Sequence, residues 1–194
     1  MKLRRLGNRA FSLVELMIVV AIIGVLSTLA INGVRKYLAN AKTAEARNAL
    51  GAIAKAAVIS YDTEKLLGAS TAVNVDTGGA VATGSKSFCL PAVAVPTDVP
   101  KAAKYLPATT GAADFQTGTN VAGWKCLKFS MDSPIAYQYN YTNNTVAAAG
   151  GTFTATATGD LNGDAVNSVF TLGGAATNGV PKVQATILEL NPDE

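Results

Sequence analysis

The segment from Phe11 to Ile31, FSLVELMIVVAIIGVLSTLAI, runs for 21 residues with one charge, Glu15, and no Pro. At about 1.5 Å of rise per helical residue it reaches about 30 Å, the thickness of a bilayer core. An ionised carboxylate in such a helix costs about 2.5–3.5 kcal/mol on insertion scales, so Glu15 needs a functional reason.

Three readings fit a basic leader followed by an apolar run. A secretory signal could be cut after Ala30, at the loosely small-x-small Thr28-Leu29-Ala30, but Glu15 interrupts its apolar stretch and the run is long. A plain anchor leaves Glu15 unexplained. Flanking charge does not orient it, because Arg35, Lys36, Lys42 and Arg47 follow the run much as Lys2, Arg4, Arg5 and Arg9 precede it. In the third reading the chain is cut between Ala10 and Phe11. A new α-amine then stands at Phe11, four residues before Glu15 and on the same helix face. The two charges attract strongly in hydrocarbon, and the carboxylate lies in the first turn, where the helix dipole favours it. Between molecules, Glu15 of one chain can accept the amine of its neighbour and set the axial register of a packed array.

These residues, AFSLVELMIVVAIIGVLSTLAI, resemble the class III leader and N-terminal helix of the type IV pilin and pseudopilin superfamily. The resemblance implies a cytoplasmic leader, cleavage of Ala10–Phe11 by an inner-membrane prepilin peptidase, and N-methylation of Phe11. It also implies Glu15 as the assembly carboxylate and a homo-oligomeric helical filament built by inner-membrane pilus machinery. The precursor would sit in the inner membrane and the mature subunit in a cell-surface pilus serving motility, adhesion or DNA uptake. Ala10 stands where the family usually has Gly, and Asn32 where many members have Pro. A type II secretion pseudopilin is the alternative inside the superfamily, and a signal-anchored exported binding domain the alternative outside it.

The net charge of +3 belongs to the leader: without the first ten residues, 12 basic residues face 13 acidic ones. That gives no compositional case for nucleic-acid binding. The chain has no His, which removes the commonest general base, and no nucleophile pattern stands out, so the expectation is no enzyme and no cofactor. The two cysteines, Cys89 and Cys126, form one disulfide if this part is exported and are buried thiols if it is not.

Beyond Gly33 an amphipathic pattern, Val34, Leu38, Ala41, Leu50, Ile53, Ala57 and Tyr61, extends the helix to about Glu64. The expected organisation is a leader (1–10), an apolar assembly helix (11–33), the amphipathic half of the same helix (34–66) and a head (67–194). In the head, a long Gly/Ala/Thr/Pro-rich loop (67–123) with a helical turn near Lys101–Tyr105 precedes an antiparallel sheet (124–190). WKCLKFSM, IAYQYNYT, TFTATATG, NSVFTLGG and KVQATILEL are the candidate strands, and Ile135, Tyr137, Tyr139 and Tyr141 share one face. One long helix followed by strands in sequence is an α+β fold.

Asp160, Asn162 and Asp164 have the spacing that opens an EF-hand-like calcium loop. Ala165 replaces the turn Gly and Thr171 the bidentate Glu, so a polar hairpin turn around Asn162-Gly163 competes with a calcium site.

Overall fold

In the computed structural model the described residues are 11–63, 86–144 and 151–192. Helix α1 runs from Leu13 to Asp62 without interruption, through Asn32 and Gly33. Its N-terminus follows a local signal: Ser12 Oγ accepts the backbone N–H of Glu15 at 3.2 Å, an N-cap with an acidic residue at the third helical position.

The chain divides into two units, Met1–Asn40 and Ala41–Glu194. In the first, the large apolar side chains of α1 are exposed on every side, from Leu13 at 74 % to Leu38 at 52 %. In the second, α1 buries Ala46, Ala49, Leu50, Ile53, Ala54, Ala57 and Tyr61. The amphipathic face expected from Val34 onward is therefore buried only after Thr43, and Val34, Leu38 and Ala41 are exposed.

Six strands form one antiparallel sheet: β1 (Ala92–Val95), β2 (Gln138–Asn144), β3 (Gly151–Gly159), β4 (Ser168–Thr177), β5 (Val180–Val183) and β6 (Leu188–Leu190). The first five lie in sequence order, and β6 pairs with β4 beside β5. Alternation sets the faces. Tyr139 and Tyr141 of β2, Phe153, Ala155 and Ala157 of β3, and Phe170 and Leu172 of β4 are buried in the same cluster as the α1 residues. Opposite them stand Thr152, Thr154, Thr156 and Thr158 of β3, none of which is buried. Small partners make room for the rings. A Cβ on Gly159 would lie 2.6 Å from the Tyr137 ring, and one on Gly174 would collide with Phe153.

The β4–β5 connection is the two-residue hairpin that Asn-Gly favours: Thr177 pairs with Val180, and Asn178 and Gly179 have φ of 53° and 76°. A second Asn-Gly, at 162–163, lies inside a longer β3–β4 loop, and a third, Asn32-Gly33, lies within α1.

Four expectations are corrected. The segment WKCLKFSM is not a strand; Gly123–Leu127 is a short helix, α2, ended by Lys128 in the left-handed region. Its Trp124, Cys126 and Leu127 are all buried, and gathering them around one turn outweighs their strand propensity. Residues 101–105 form no helical turn. Lys101 and Tyr105 instead make single bridges to Asp160 and Ile135, and the 3-10 turn lies at Asp114–Gln116. The loop expected over 67–123 contains β1, which pairs Ala92 with Tyr141 and Val95 with Tyr139 as an edge strand. Finally, KVQATILEL is broken into β5 and β6. Gln184 N–H donates to Gly173 O at 2.9 Å while its Oε1 accepts Gly173 N–H at 3.2 Å, and this side-chain bridge replaces a ladder step. Residues 64–66 of the expected helix and 67–85 of the expected loop lie outside the described residues.

Candidate functional site

The N-terminal helix presents the first site. Leu13–Asp62 is long and apolar enough to cross a membrane, and none of its most apolar window is buried. Glu15 lies in the first turn, where unpaired N–H groups and the helix dipole favour a carboxylate. Ser12 is the residue that sequence reasoning missed, although Ser-x-x-Glu before an apolar run is a readable capping signal. The two hydroxyls deeper in the apolar stretch, beyond Ser12, are satisfied internally: Ser27 Oγ donates to Ile23 O at 2.7 Å and Thr28 Oγ1 to Val25 O at 2.8 Å. A polar side chain in hydrocarbon needs such a partner on its own helix. Phe11 is 77 % exposed, and Ala10 lies outside the described residues.

In the head, Cys89 and Cys126 form a disulfide that joins the segment before β1 to α2. Around it Leu90 N–H donates to Val121 O, Gly123 N–H to Leu90 O, and Trp124 Nε1–H to Val93 O at 2.7 Å. Phe115, Trp124 and Phe129 stack edge-on or tilted with centroids 5.0–5.6 Å apart. Asp114, at φ 48°, accepts Tyr105 O–H and Ala108 N–H through Oδ2, both at 2.8 Å. That hydrogen bond raises the Tyr105 pKa.

The tyrosine row is core. Tyr137, Tyr139 and Tyr141 are fully buried, and burial pushes the phenol pKa of each above its ordinary value. Arg47 of α1 reaches β6, where Nε and Nη2 meet the two carboxylate oxygens of Glu189 at 2.7 and 2.9 Å, with the guanidinium 5.6 Å from the Phe170 centroid.

The turn after β3 directs one acid inward and leaves the other exposed. Asp160 is 1 % exposed, and its Oδ1 and Oδ2 accept Gly163 N–H at 2.6 Å and Ala165 N–H at 3.0 Å. Asp164 Oδ1 accepts Val166 N–H, and Asn162 Oδ1 accepts Asp164 N–H. The three side chains thus serve the turn's own amides, and among the described residues no group of three or more His, Cys, Asp or Glu side chains gathers to hold a metal.

Comparison with known proteins bears on the first site. Residues 5–31 match the family model of the prokaryotic N-terminal methylation motif. No curated protein and no solved structure matches the chain significantly. The matched span contains Ala10, Phe11 and Glu15, and such a motif implies processing by prepilin peptidase and a membrane-anchored precursor. Motif and fold together point to a structural protein. A class III prepilin leader on a long apolar helix followed by an antiparallel sheet is the arrangement of the type IV pilin and pseudopilin superfamily.

Proposed function

We propose that the mature chain, cut between Ala10 and Phe11 and methylated at Phe11, is a pilin that polymerises through α1 into a type IV pilus, its heads forming the filament surface. One observation carries this reading: a methylation motif leads into a helix whose apolar residues are exposed all round, with Glu15 the only charge between Phe11 and Ile31. Packing that surface against copies of itself keeps it out of water once it leaves lipid, where exposure would cost about 25 cal/mol per Å² of apolar area. The methylated amine of Phe11 is the cation that Glu15 of a neighbouring chain takes up, which fixes the axial step between subunits.

Mass spectrometry of protein recovered from cells, with electron microscopy of sheared surface fibres, tests the assignment. A methylated phenylalanine terminus and this chain as a fibre component are expected. A terminus at Ile31 would mean ordinary secretion, and an intact Met1 would remove the amine on which the register depends. A correctly processed chain confined to a secretion apparatus would make it a pseudopilin. Glu15→Ala separates register from capping: processing continues and fibre yield collapses. Ser12→Ala, which costs about 1 kcal/mol of helix N-cap but keeps the carboxylate, leaves fibres largely intact. Equal yields from Glu15→Ala and unaltered cells would refute the register role.

A further inference from the structure

The two edges of the head sheet carry unlike surfaces. At the β1 edge, the last turns of α1 and the segment around α2 enclose a groove of about 810 Å³. That lies within the range of clefts that hold a ligand, about 300–1,000 Å³. Ile59, Val121, Leu127 and Phe129 line it, and Ile59 is 57 % exposed. Lys55, Lys125 and Lys128 line it as well, with no acidic side chain beside them, and none of the three makes an ion pair among the described residues. The groove is apolar between its cations.

The far edge has the reverse character. Among the described residues β6 pairs only with β4, and its Leu188 and Leu190 stand opposite Thr171 and Val169, on the face turned away from buried Phe170. Both leucines are more than 60 % exposed, at 64 % and 61 %. Asn191 Nδ2–H donates to Asn167 O at 3.4 Å, which holds the end of β6 beside the exposed Asp164 and Val166 of the preceding turn. Adjoining apolar side chains left in water mark a contact surface. The charge around them is acidic, because Asp193 and Glu194 follow in the sequence and join Asp164. Lys101, which bridges Asp160 at the base of the same turn, offsets one of these three acids. Lys182 of β5 stands opposite Ala175, about 20 Å along β4 from the Val169–Leu190 pair.

The two surfaces fit each other and cannot meet within one head. The order β1-β2-β3-β4, with β6 beyond β4, puts four strand spacings between them, about 19 Å. A contact between unlike patches is heterologous: each partner keeps one free patch, so the contact continues into an open chain instead of closing a dimer. Charge favours this pairing over groove on groove, in which lysines would face lysines.

We propose that the Leu188–Leu190 edge of one copy docks into the Lys55–Lys125–Lys128 groove of the next, a head-to-tail joint between copies of this chain. The joint presupposes the filament and gives it a second directional contact, outside the apolar helix. Ile59→Cys and Leu190→Cys alter exposed positions, so the full chain folds with either. Whole cells making the double variant are oxidised, and the chain is resolved without reductant beside each single variant. A ladder of dimers, trimers and longer species is expected from the double variant and from neither single one. A product that stops at the dimer would show an isologous contact and overturn the proposal, as would monomer alone or an Ile59→Cys adduct with another protein. Monomer alone in cells whose sheared fibres contain the chain would overturn the joint and leave the pilus reading intact, whereas a ladder from a chain absent from surface fibres would do the reverse. Lys125→Glu with Lys128→Glu should weaken the ladder, and adding Asp193→Lys with Glu194→Lys should restore it. A ladder indifferent to these charges would refute the pairing.

Discussion

Removing the Cys89–Cys126 bridge should weaken the head by about 4 kcal/mol, the value that chain entropy gives for a loop of this size. The bridge spans 37 residues, all of the stretch that holds β1, the 3-10 turn and α2. Both cysteines are buried, so Cys89→Ala/Cys126→Ala adds only a small packing loss. The opposing consideration is that Leu90, Gly123 and Trp124 already close the same loop by backbone and indole hydrogen bonds. Those bonds exist only in the folded state, whereas the disulfide restricts the unfolded one, so they do not substitute for it. For a chain of this size 4 kcal/mol corresponds to a fall in Tm of about 8–16 °C. Urea unfolding of the full chain in detergent can be followed by fluorescence of Trp124, the only Trp and one that is fully buried beside the bridge. Near-UV circular dichroism of the tyrosine row reports the sheet separately. A loss below about 1 kcal/mol by both probes would refute the entropic argument, because it would mean that the unfolded chain gains little freedom when the loop is opened.

Three other perturbations are sharply signed. Arg47→Ala removes a bidentate pair and a ring contact, yet the Arg47 side chain is 42 % exposed, so the loss in urea-unfolding stability should be about 1 kcal/mol and should shrink in high salt. Gly51 lies within α1, and a Cβ added there would meet nothing inside 4 Å, so Gly51→Ala should raise stability by about 0.5–1 kcal/mol, whereas Gly159→Ala should cost about 1–3 kcal/mol by colliding with Tyr137. Tyr139 and Tyr141 have raised folded-state pKa values, so their contribution is fully present below the unfolded value of about 10 and is lost as pH rises through the folded values. The unfolding midpoint should therefore drop from about pH 10 upward, and Tyr141→Phe should flatten that drop.

The N-terminal methylation motif and its apolar helix were legible because a basic leader, a lone acid and an apolar run long enough to cross a membrane agree within a few residues. The alternating strands IAYQYNYT and TFTATATG were legible for the same reason: period-two burial leaves Tyr139, Tyr141, Phe153, Ala155 and Ala157 on one face. Where sequence reasoning failed, the deciding contact was distant in the chain. The turn at Trp124 is helical because Val93 O and Phe115 meet Trp124 there and Cys89 bonds Cys126, and none of these partners is a neighbour in sequence. The break after Val183 depends on the Gln184 side chain finding Gly173. Asn-Gly marks a turn at two of its three occurrences, the third, Asn32-Gly33, being helical, and only at 178–179 do the flanking residues pair directly, because at 162–163 Asp160 captures the loop's amides first.

The composition of α1 carries the same division one step further. Between Ala41 and Ala57 the helix uses alanine at 41, 44, 46, 49, 52, 54, 56 and 57, so its backbone can lie close to a sheet that supplies the bulk through Tyr137, Tyr139, Phe153 and Phe170. From Leu13 to Ile31 the large residues are its own, Leu, Ile, Val and Met on all faces, and all of them are exposed among the described residues. A helix that is hydrophobic all round must be buried by something. In the proposed assembly its cover is lipid first and then the same stretch of other copies. A charge-free version of this surface could slide along its neighbours without a preferred step, because apolar contacts are non-directional. One carboxylate at a fixed height removes that freedom, and so the residue that opposes insertion is also the one that can define the lattice.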